Sequence, residues 1–346
     1  MSTGISVLDR SFPLPPQRHA TAPPEARGLA RDEVRLLVAQ DDIVHARFRE
    51  LPGHLRAGDL LVVNNSAVMT AAVDARLGEQ PVTVHFSTWL DDGGWVVEIR
   101  SAERTPFPDD GLDAGTELLL ADGSPVVLVR PWLPPARRLW VARTADDPRV
   151  SMASHGRPIT YAYVPQRWSA DYYTTVFGRL PGSAEMPSAA RPFTDRLVLD
   201  LLTSGIAVAP VTLHTGVSSP ETGEPPSPER FVVPAATARQ VDATKAAGGR
   251  VIAVGTTVTR ALESATDRQG STHARSGWTD LVLGADRPAR VVDGLITGWH
   301  APGASHLDLL VAVAGPEIVG ESYAAALENG YLWHEFGDSA LLMRPV

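Results

Sequence analysis

The chain has 346 residues, 44% of them apolar, a formal net charge of −9 and no cysteine. That length and apolar content support one large or two ordinary domains with a buried core, and the missing thiols exclude disulfides, thiolate nucleophiles, zinc ribbons and cysteine-held iron–sulfur clusters. The acidic balance argues against broad electrostatic capture of nucleic acid, and no run reaches the roughly eighteen apolar residues of a membrane span, so the expectation is a cytoplasmic protein without a membrane partner.

In chain order, "SFPLPPQRHATAPPEA" (11–26) is proline-rich and predicts an extended arm. "VRLLVA" (34–39) and "DLLVVNN" (59–65) read as buried strands. From about Ala71 to Arg143 short β-rich runs take over, "VTVHFSTWL", "WVVEIR", "TELLL", "PVVLVR" and "RRLWVAR", the spacing of a small antiparallel barrel or sandwich. After about Arg157 the pattern alternates strand and helix. In "FTDRLVLDLLTSG", Thr194 is placed as an N-cap, Asp195 sits in the first turn where the helix dipole favours it, and Gly205 stops the helix. "IAVAPVTLHT" is a strand, an Ala-rich helix follows to "AAGG", and "RVIAVG" runs through a glycine into the helix "TVTRALESA". This half predicts a largely parallel α/β core. The expected organisation is a discontinuous α/β domain, 1–70 and 157–346, interrupted by a β-barrel domain over 71–156. "GVSSPETGEPPSPER" (216–230) reads as a loop.

Ligands in α/β folds gather at the C-terminal ends of strands, where helix N-termini present free N–H groups. "VTLHT" (211–215) and "AVGTT" (253–257) end that way. Gly255 would let the backbone approach a ligand, while Thr256 and Thr257 would cap the helix or offer it hydroxyls. Arg260 lies one turn further on, either paired with Glu263 on the same face or binding an anion at the helix mouth. His214 and His300 are candidates as general acid, base or hydrogen-bond donor. Asp280, in "SGWTDL", and Asp338, in "FGDSALL", are site carboxylates or turn groups. His214, His300 and His306 stand in no metal-ligand spacing, so no metal is expected. No two glycines are two positions apart, which removes the GxGxxG fingerprint, and neither a Walker A motif nor a GxSxG elbow occurs.

Taken together, "RFRELPGHLRAGDLLVVNNSAV", "YYTTVFGRLPGSAEMPSAARPFT", "VTLHTGV", "GGRVIAVGTTVTRALESA", "SGWTDLVL", "RVVDGLITGWHAPGASHLDLLVAVAG" and "FGDSALL" resemble, in order and spacing, the S-adenosylmethionine:tRNA ribosyltransferase-isomerase family of the queuosine pathway. The resemblance implies a barrel-like α/β catalytic domain with an inserted small antiparallel β-barrel. It implies S-adenosylmethionine as co-substrate, whose ribosyl part is transferred and isomerised onto a 7-aminomethyl-7-deazaguanine base in tRNA to give epoxyqueuosine, adenine and methionine. The sulfonium acidifies the ribose 5′ carbon, a base removes a proton there, and the amine attacks the anomeric carbon as adenine leaves. On this reading His214, His300 and Asp280 are the catalytic candidates. Gly255, Thr256, Thr257, Arg260, Thr212, Gly277 and Asp338 would hold S-adenosylmethionine, and tRNA would be the partner of a chain expected to be monomeric.

The chain departs from the family pattern in several loops. The family's N-D-T-R-V stands here as Asn64, Asn65, Ser66, Ala67, Val68, and A-G-L-H-F-T as Ala189, Ala190, Arg191, Pro192, Phe193, Thr194. N-F-H-L-P has become Gly298, Trp299, His300, Ala301, Pro302, and T-T-S-V-R has become Thr256, Thr257, Val258, Thr259, Arg260. Two alternatives therefore stand beside the family reaction: a related S-adenosylmethionine-consuming transferase or lyase acting on a small molecule, and a binding paralogue without turnover.

Overall fold

The computed structural model describes residues 10–108, 111–217 and 226–345. The strands β1 (Arg35–Ala39) and β2 (Ile43–Arg47) form a hairpin, followed by β3 (Leu60–Asn64) and the short β4 (Ser66–Val68). The chain then builds β5 (Ala72–Leu77), β6 (Gln80–Trp89), β7 (Trp95–Arg100), β8 (Glu117–Leu120), β9 (Pro125–Pro131) and β10 (Leu139–Thr144), which close into a barrel in the order β10-β7-β6-β5-β8-β9. Every pair in it is antiparallel. Phe86, Val97, Leu118, Val126, Leu128 and Trp140 fill its interior, and α1 (Arg149–His155) brings Met152 against it.

Back in the larger domain come β11 (Leu180–Ser183), which pairs with β4, then α2 (Asp195–Thr203), β12 (Ala207–His214), β13 (Glu229–Val233), α3 (Ala235–Ala246), β14 (Val251–Val254) and α4 (Thr256–Ala265). They are followed by β15 (Arg275–Thr279), β16 (Gly294–Gly298), α5 (His306–Ala314), α6 (Pro316–Glu328) and β17 (Ser339–Met343). Nine strands make one sheet, β15-β13-β12-β3-β14-β16-β17-β1-β2. The class is α/β with an inserted antiparallel β-barrel.

The sheet is mixed rather than largely parallel. β3 pairs in parallel with β12 and β14, β14 with β16, and β1 with β17. The pairs β1–β2, β12–β13, β13–β15 and β16–β17 are antiparallel. A single crossover helix returns the chain for a parallel strand. Between β16 and β17 stand two helices, α5 and α6, bent by 119°, and the second carries the chain back so that β17 enters in the opposite direction.

The central strands are apolar on both sides because both sheet faces are covered. Leu37, Ala39, Leu60, Val62, Val251, Ala253, Ala340 and Leu342 enter one core with α4, α5 and α6. Their neighbours Leu36, Val38, Leu61, Val63, Ile252, Val254, Leu341 and Met343 enter the other with α2. Burying each Leu, Ile or Val contributes about 1.5–3 kcal/mol, and a one-residue register slip would exchange the two sets. At the opposite end from the cavity described below, Arg250 grips Asp59 with a fork of Nε (3.0 Å) and Nη2 (2.6 Å), tying β14 to β3.

Thr194 caps α2 by accepting the Leu197 N–H at 3.2 Å, and Gly205 beyond its end has φ 79°. The proline-rich arm is not uniformly extended: Pro16–Arg18 and Pro24–Arg27 form 3₁₀ turns, each opened by its proline at a position where no N–H is needed. Phe12 anchors the arm by an edge contact with Tyr323, ring centroids 5.2 Å apart. Of the loop 216–230, residues 218–225 lie outside the described residues. Among the described residues no single helix is long and apolar enough to cross a membrane. α5 is apolar because Leu307, Leu310 and Val313 sit in the core.

Candidate active site

A cavity of ≈ 520 Å³ opens where β14 and β16 end, roofed by the segment that returns from the barrel. Gly255, Thr256, Thr257, Arg260 and His300 line it. Its far wall carries Tyr161, Tyr163, Glu185, His334 and Glu335.

The strand-to-helix junction at 254–257 differs in one respect from expectation. The N-cap of α4 is Gly255, at φ 97° and ψ 157°, and no side chain caps the helix. Thr256 and Thr257 are the first two helical residues, so their hydroxyls are not spent on the helix end. Their N–H groups belong to the first turn, which has no intrahelical acceptors and carries the positive end of the helix dipole. Only glycine occupies that backbone region without strain. A Cβ at Gly255 would also stand 3.3 Å from the Ala189 Cβ. Gly255→Ala is expected to cost about 1–3 kcal/mol, read as a lower urea midpoint at unchanged slope; an unchanged midpoint would refute the strain.

Arg260 does not pair with Glu263. Its guanidinium is 8% exposed and forms an ion pair with Glu229, while Nε donates to the Leu281 carbonyl (3.1 Å) and Nη2 to those of Thr279 and Ser227 (3.2 Å each). Glu263 instead accepts the N–H groups of Arg290, Val291 and Val292 within 3.2 Å, closing the turn before β16. Arg260 therefore clamps β13, β15 and α4 into one wall and is not an open anion receptor. Burial pushes the Glu229 carboxyl up, opposed by Arg260 and the Gly216 N–H.

His300 lies parallel to His306, ring centroids 4.6 Å and planes 3° apart, and its Nε2 is 3.1 Å from the Thr297 hydroxyl. Burial depresses both imidazoles, His306 to about 4 and His300 well below its ordinary value. Both are neutral at pH 7, able to donate or accept a hydrogen bond but not to deliver a proton as imidazolium.

The other candidates fall outside this cavity lining. His214, at the end of β12, sits 2.8 Å from the Ser66 hydroxyl and under the Trp89 ring; burial and Arg230 lower it to about 4. Gly182 leaves room for it, since a Cβ there would come 2.3 Å from its Nδ1. Thr212 donates to Asn65 Oδ1 at 2.7 Å, a contact within the sheet end. Asp280 and Gly277 are exposed on and after the edge strand β15. Asp338 is buried and accepts the N–H groups of Arg35 (2.8 Å) and Leu332 (2.9 Å) together with the Arg35 guanidinium, a joint between β1 and β17. The sequence grouping thus separates: five of its ten residues meet at the cavity, and the rest hold strands or face solvent. Among the described residues no group of three or more His, Asp or Glu side chains is arranged to hold a metal ion.

The far wall escaped the motif reading. Tyr161 and Tyr163, in "TYAYV", lie in a turn closed by the Val164 N–H on the Tyr161 carbonyl (3.0 Å), and their rings stack with centroids 5.9 Å apart. Tyr161 donates to Glu185, and Tyr163 donates to Glu335 Oε2 at 2.6 Å. The ring of Tyr163 stacks on His334 at 3.9 Å, and His334 on His19 of the N-terminal arm at 4.7 Å. The Y-x-Y spacing and the adjacent His-Glu pair were the signals available.

A family model described as "Queuosine biosynthesis protein" matches residues 7–342. Among similar proteins is one from Moorella thermoacetica named S-adenosylmethionine:tRNA ribosyltransferase-isomerase, 32% identical over 98% of this chain and 100% of its own length. One of the same name from Azoarcus sp. is 34% identical over 98% of both chains. A crystal structure of S-adenosylmethionine tRNA ribosyltransferase from Thermotoga maritima superposes with a TM-score of 0.55 at 28% identity, covering 97% of this chain and 100% of that one.

Proposed function

The chain belongs to the queuosine biosynthesis protein family, and from that premise we propose that it is a transferase and isomerase consuming S-adenosylmethionine. It moves and rearranges the ribosyl group onto a 7-aminomethyl-7-deazaguanine base in tRNA, releasing adenine and methionine. The observation that carries this reading is the match along nearly the whole chain to relatives so named.

The cavity suits the donor. Its ≈ 520 Å³ lies within the roughly 300–1,000 Å³ of small-molecule sites. The first turn of α4 offers N–H groups and the hydroxyls of Thr256 and Thr257 to a carboxylate or to ribose hydroxyls. The same lining carries the carboxyl groups of Glu185 and Glu335, which suit a sulfonium cation. Neutral His300 and His306 are hydrogen-bond partners for the ribose or the leaving base. The sulfonium draws electrons from the carbon it is bonded to, so a proton can be removed there, and an amine can then displace adenine at the anomeric carbon. Chemistry written this way calls for no metal or redox group, and a tRNA acceptor places the enzyme in the cytoplasm.

The test is to incubate the protein with S-adenosylmethionine, with and without tRNA carrying the aminomethyl base, and to follow adenine and methionine by chromatography. Release only with that tRNA is expected. Release without tRNA would replace the acceptor by a small molecule or water. Binding of S-adenosylmethionine with no release under either condition would overturn the enzyme reading.

A further inference from the structure

Three carboxylates line the cavity, and they are not equivalent. Glu229 is committed to Arg260 and to the Gly216 N–H. Glu185 lies beside Tyr161 and takes its hydroxyl proton as a hydrogen bond. Glu335 accepts from the Tyr163 hydroxyl at 2.6 Å and, among the described residues, has no cation within ion-pair distance. Unlike Glu229, it lines the cavity without a guanidinium at ion-pair distance.

Its setting is built at some energetic cost. His334, the residue before it, has φ 75°, in the left-handed region that is uncommon for residues other than glycine. The surroundings are visible: the His334 N–H reaches the Trp299 carbonyl at 3.4 Å, its own carbonyl accepts the Gly337 N–H at 3.0 Å, and its ring lies on Tyr163 at 3.9 Å with His19 at its edge. His19 Nδ1 and His334 Nε2 are 2.5 Å apart, so one imidazole donates to the other. The residue after that turn is Glu335, whose carboxylate meets the Tyr163 hydroxyl.

We infer that Glu335, oriented by Tyr163, is the catalytic base that takes the proton from the donor's ribose carbon bonded to sulfur. This rests on the reaction proposed above. In the step the C–H bond breaks, an O–H bond forms on Glu335, and the electron pair stays on carbon beside the positive sulfur as a neutral ylide. Burial raises the Glu335 carboxyl, with Glu185 adding to the rise, while the Tyr163 hydrogen bond and Arg191 oppose it. Tyr173, Tyr161 beside Tyr163, His19 and neutral His334 are further titratable side chains of this cluster. A carboxylate whose proton affinity is raised by burial is the stronger base.

The experiment compares wild type, Glu335→Gln, Glu335→Asp and Tyr163→Phe by adenine release across pH and by calorimetric affinity for S-adenosylmethionine. Glu335→Gln is expected to lower kcat by about 10²–10⁴-fold, with affinity for S-adenosylmethionine kept within about threefold. Glu335→Asp retains part of the rate. Tyr163→Phe removes a donor that favours the ionised carboxyl, so the acid limb of its kcat profile moves to higher pH. A purely structural role would lower melting temperature or affinity without moving that limb. Wild-type turnover that survives Glu335→Gln within about threefold, or an acid limb unmoved in Tyr163→Phe, overturns the base alone. If Glu335→Gln does not fold, the aspartate and phenylalanine variants decide. A wild type that binds S-adenosylmethionine but releases no adenine overturns the reaction itself, and the base with it.

Discussion

Arg260→Leu is expected to destabilise the protein by about 3–5 kcal/mol, the usual cost of breaking a buried ion pair from one side. Leucine matches the aliphatic part of the side chain but leaves Glu229, 13% exposed, with the Gly216 N–H as its remaining partner. It also orphans the carbonyls of Ser227, Thr279 and Leu281, which the guanidinium holds at 3.1–3.2 Å. Each buried acceptor left unpaired costs about 1–3 kcal/mol before relaxation. Lysine keeps the charge but not the fork, so Arg260→Lys falls between. Adding Glu229→Gln to Arg260→Leu removes the stranded charge, and the double variant is expected to be more stable than Arg260→Leu alone. Urea denaturation of the four proteins checks this; a loss below about 1 kcal/mol, the range of solvent-screened pairs, would show that water reaches the pair. Because the clamp joins β13, β15 and α4 beside the cavity, affinity for S-adenosylmethionine should fall with it.

The second large effect lies in the barrel. Glu98 is fully buried and receives Arg100 Nε and Arg138 Nη1 at 2.8 Å each, with His85 Nδ1 at 3.3 Å. Burial pushes its carboxyl up, yet His85 and the two guanidiniums outweigh that and hold it down at about 2. Glu98→Gln keeps the shape and removes the charge these groups share, with an expected loss of about 3–5 kcal/mol. The pH dependence has a definite sign. A carboxyl depressed on folding stabilises above its unfolded value near 4.5, and that stability is lost as pH falls toward the folded value of about 2. Wild type should therefore weaken by about 3 kcal/mol between those limits, and Glu98→Gln should lack that component. Equal pH slopes for the two proteins would refute the assignment. Arg100 also sits 5.6 Å from the Tyr161 ring, so this carboxylate supports the cavity wall as well as the barrel.

Much of the fold is legible in the sequence because its signals are local. The barrel strands alternate in short runs between turn residues, Thr194 and Gly205 mark the ends of α2, and β14 reads into α4 through a glycine that its backbone requires. The pairing pattern was less legible. A sheet's direction depends on how many helices intervene between strands, and the apolar run of α5 and α6 carries no period that separates two buried helices from one.

For the site, residues beside one another in the chain were found and residues brought together from afar were not. Gly255, Thr256, Thr257 and Arg260 are consecutive or one turn apart, so a helix N-terminus groups them before any folding. Arg260 has its partner at Glu229 rather than Glu263 because side-chain direction and the packing of β13 against α4 choose it, and spacing on one helix does not. The far wall gathers His19 from the arm, Tyr161 and Tyr163 from the barrel return, Glu185 after β11, and His334 and Glu335 before β17. Those sequence separations reach 315 residues for the His19–His334 contact alone.

The sequence by itself determined the α/β class, the inserted barrel, the family and the helix mouth that faces the cavity, since each rests on periodicity, turn chemistry or ordered motifs along the chain. Only the tertiary structure decided which charged groups are spent on one another and which are left lining the cavity. Asp338, Arg260 and Glu229 are consumed by pairing, whereas Glu335 meets a tyrosine hydroxyl and an open cavity. Burial and partner identity are properties of contacts, and contacts between distant segments exist only once the chain has folded.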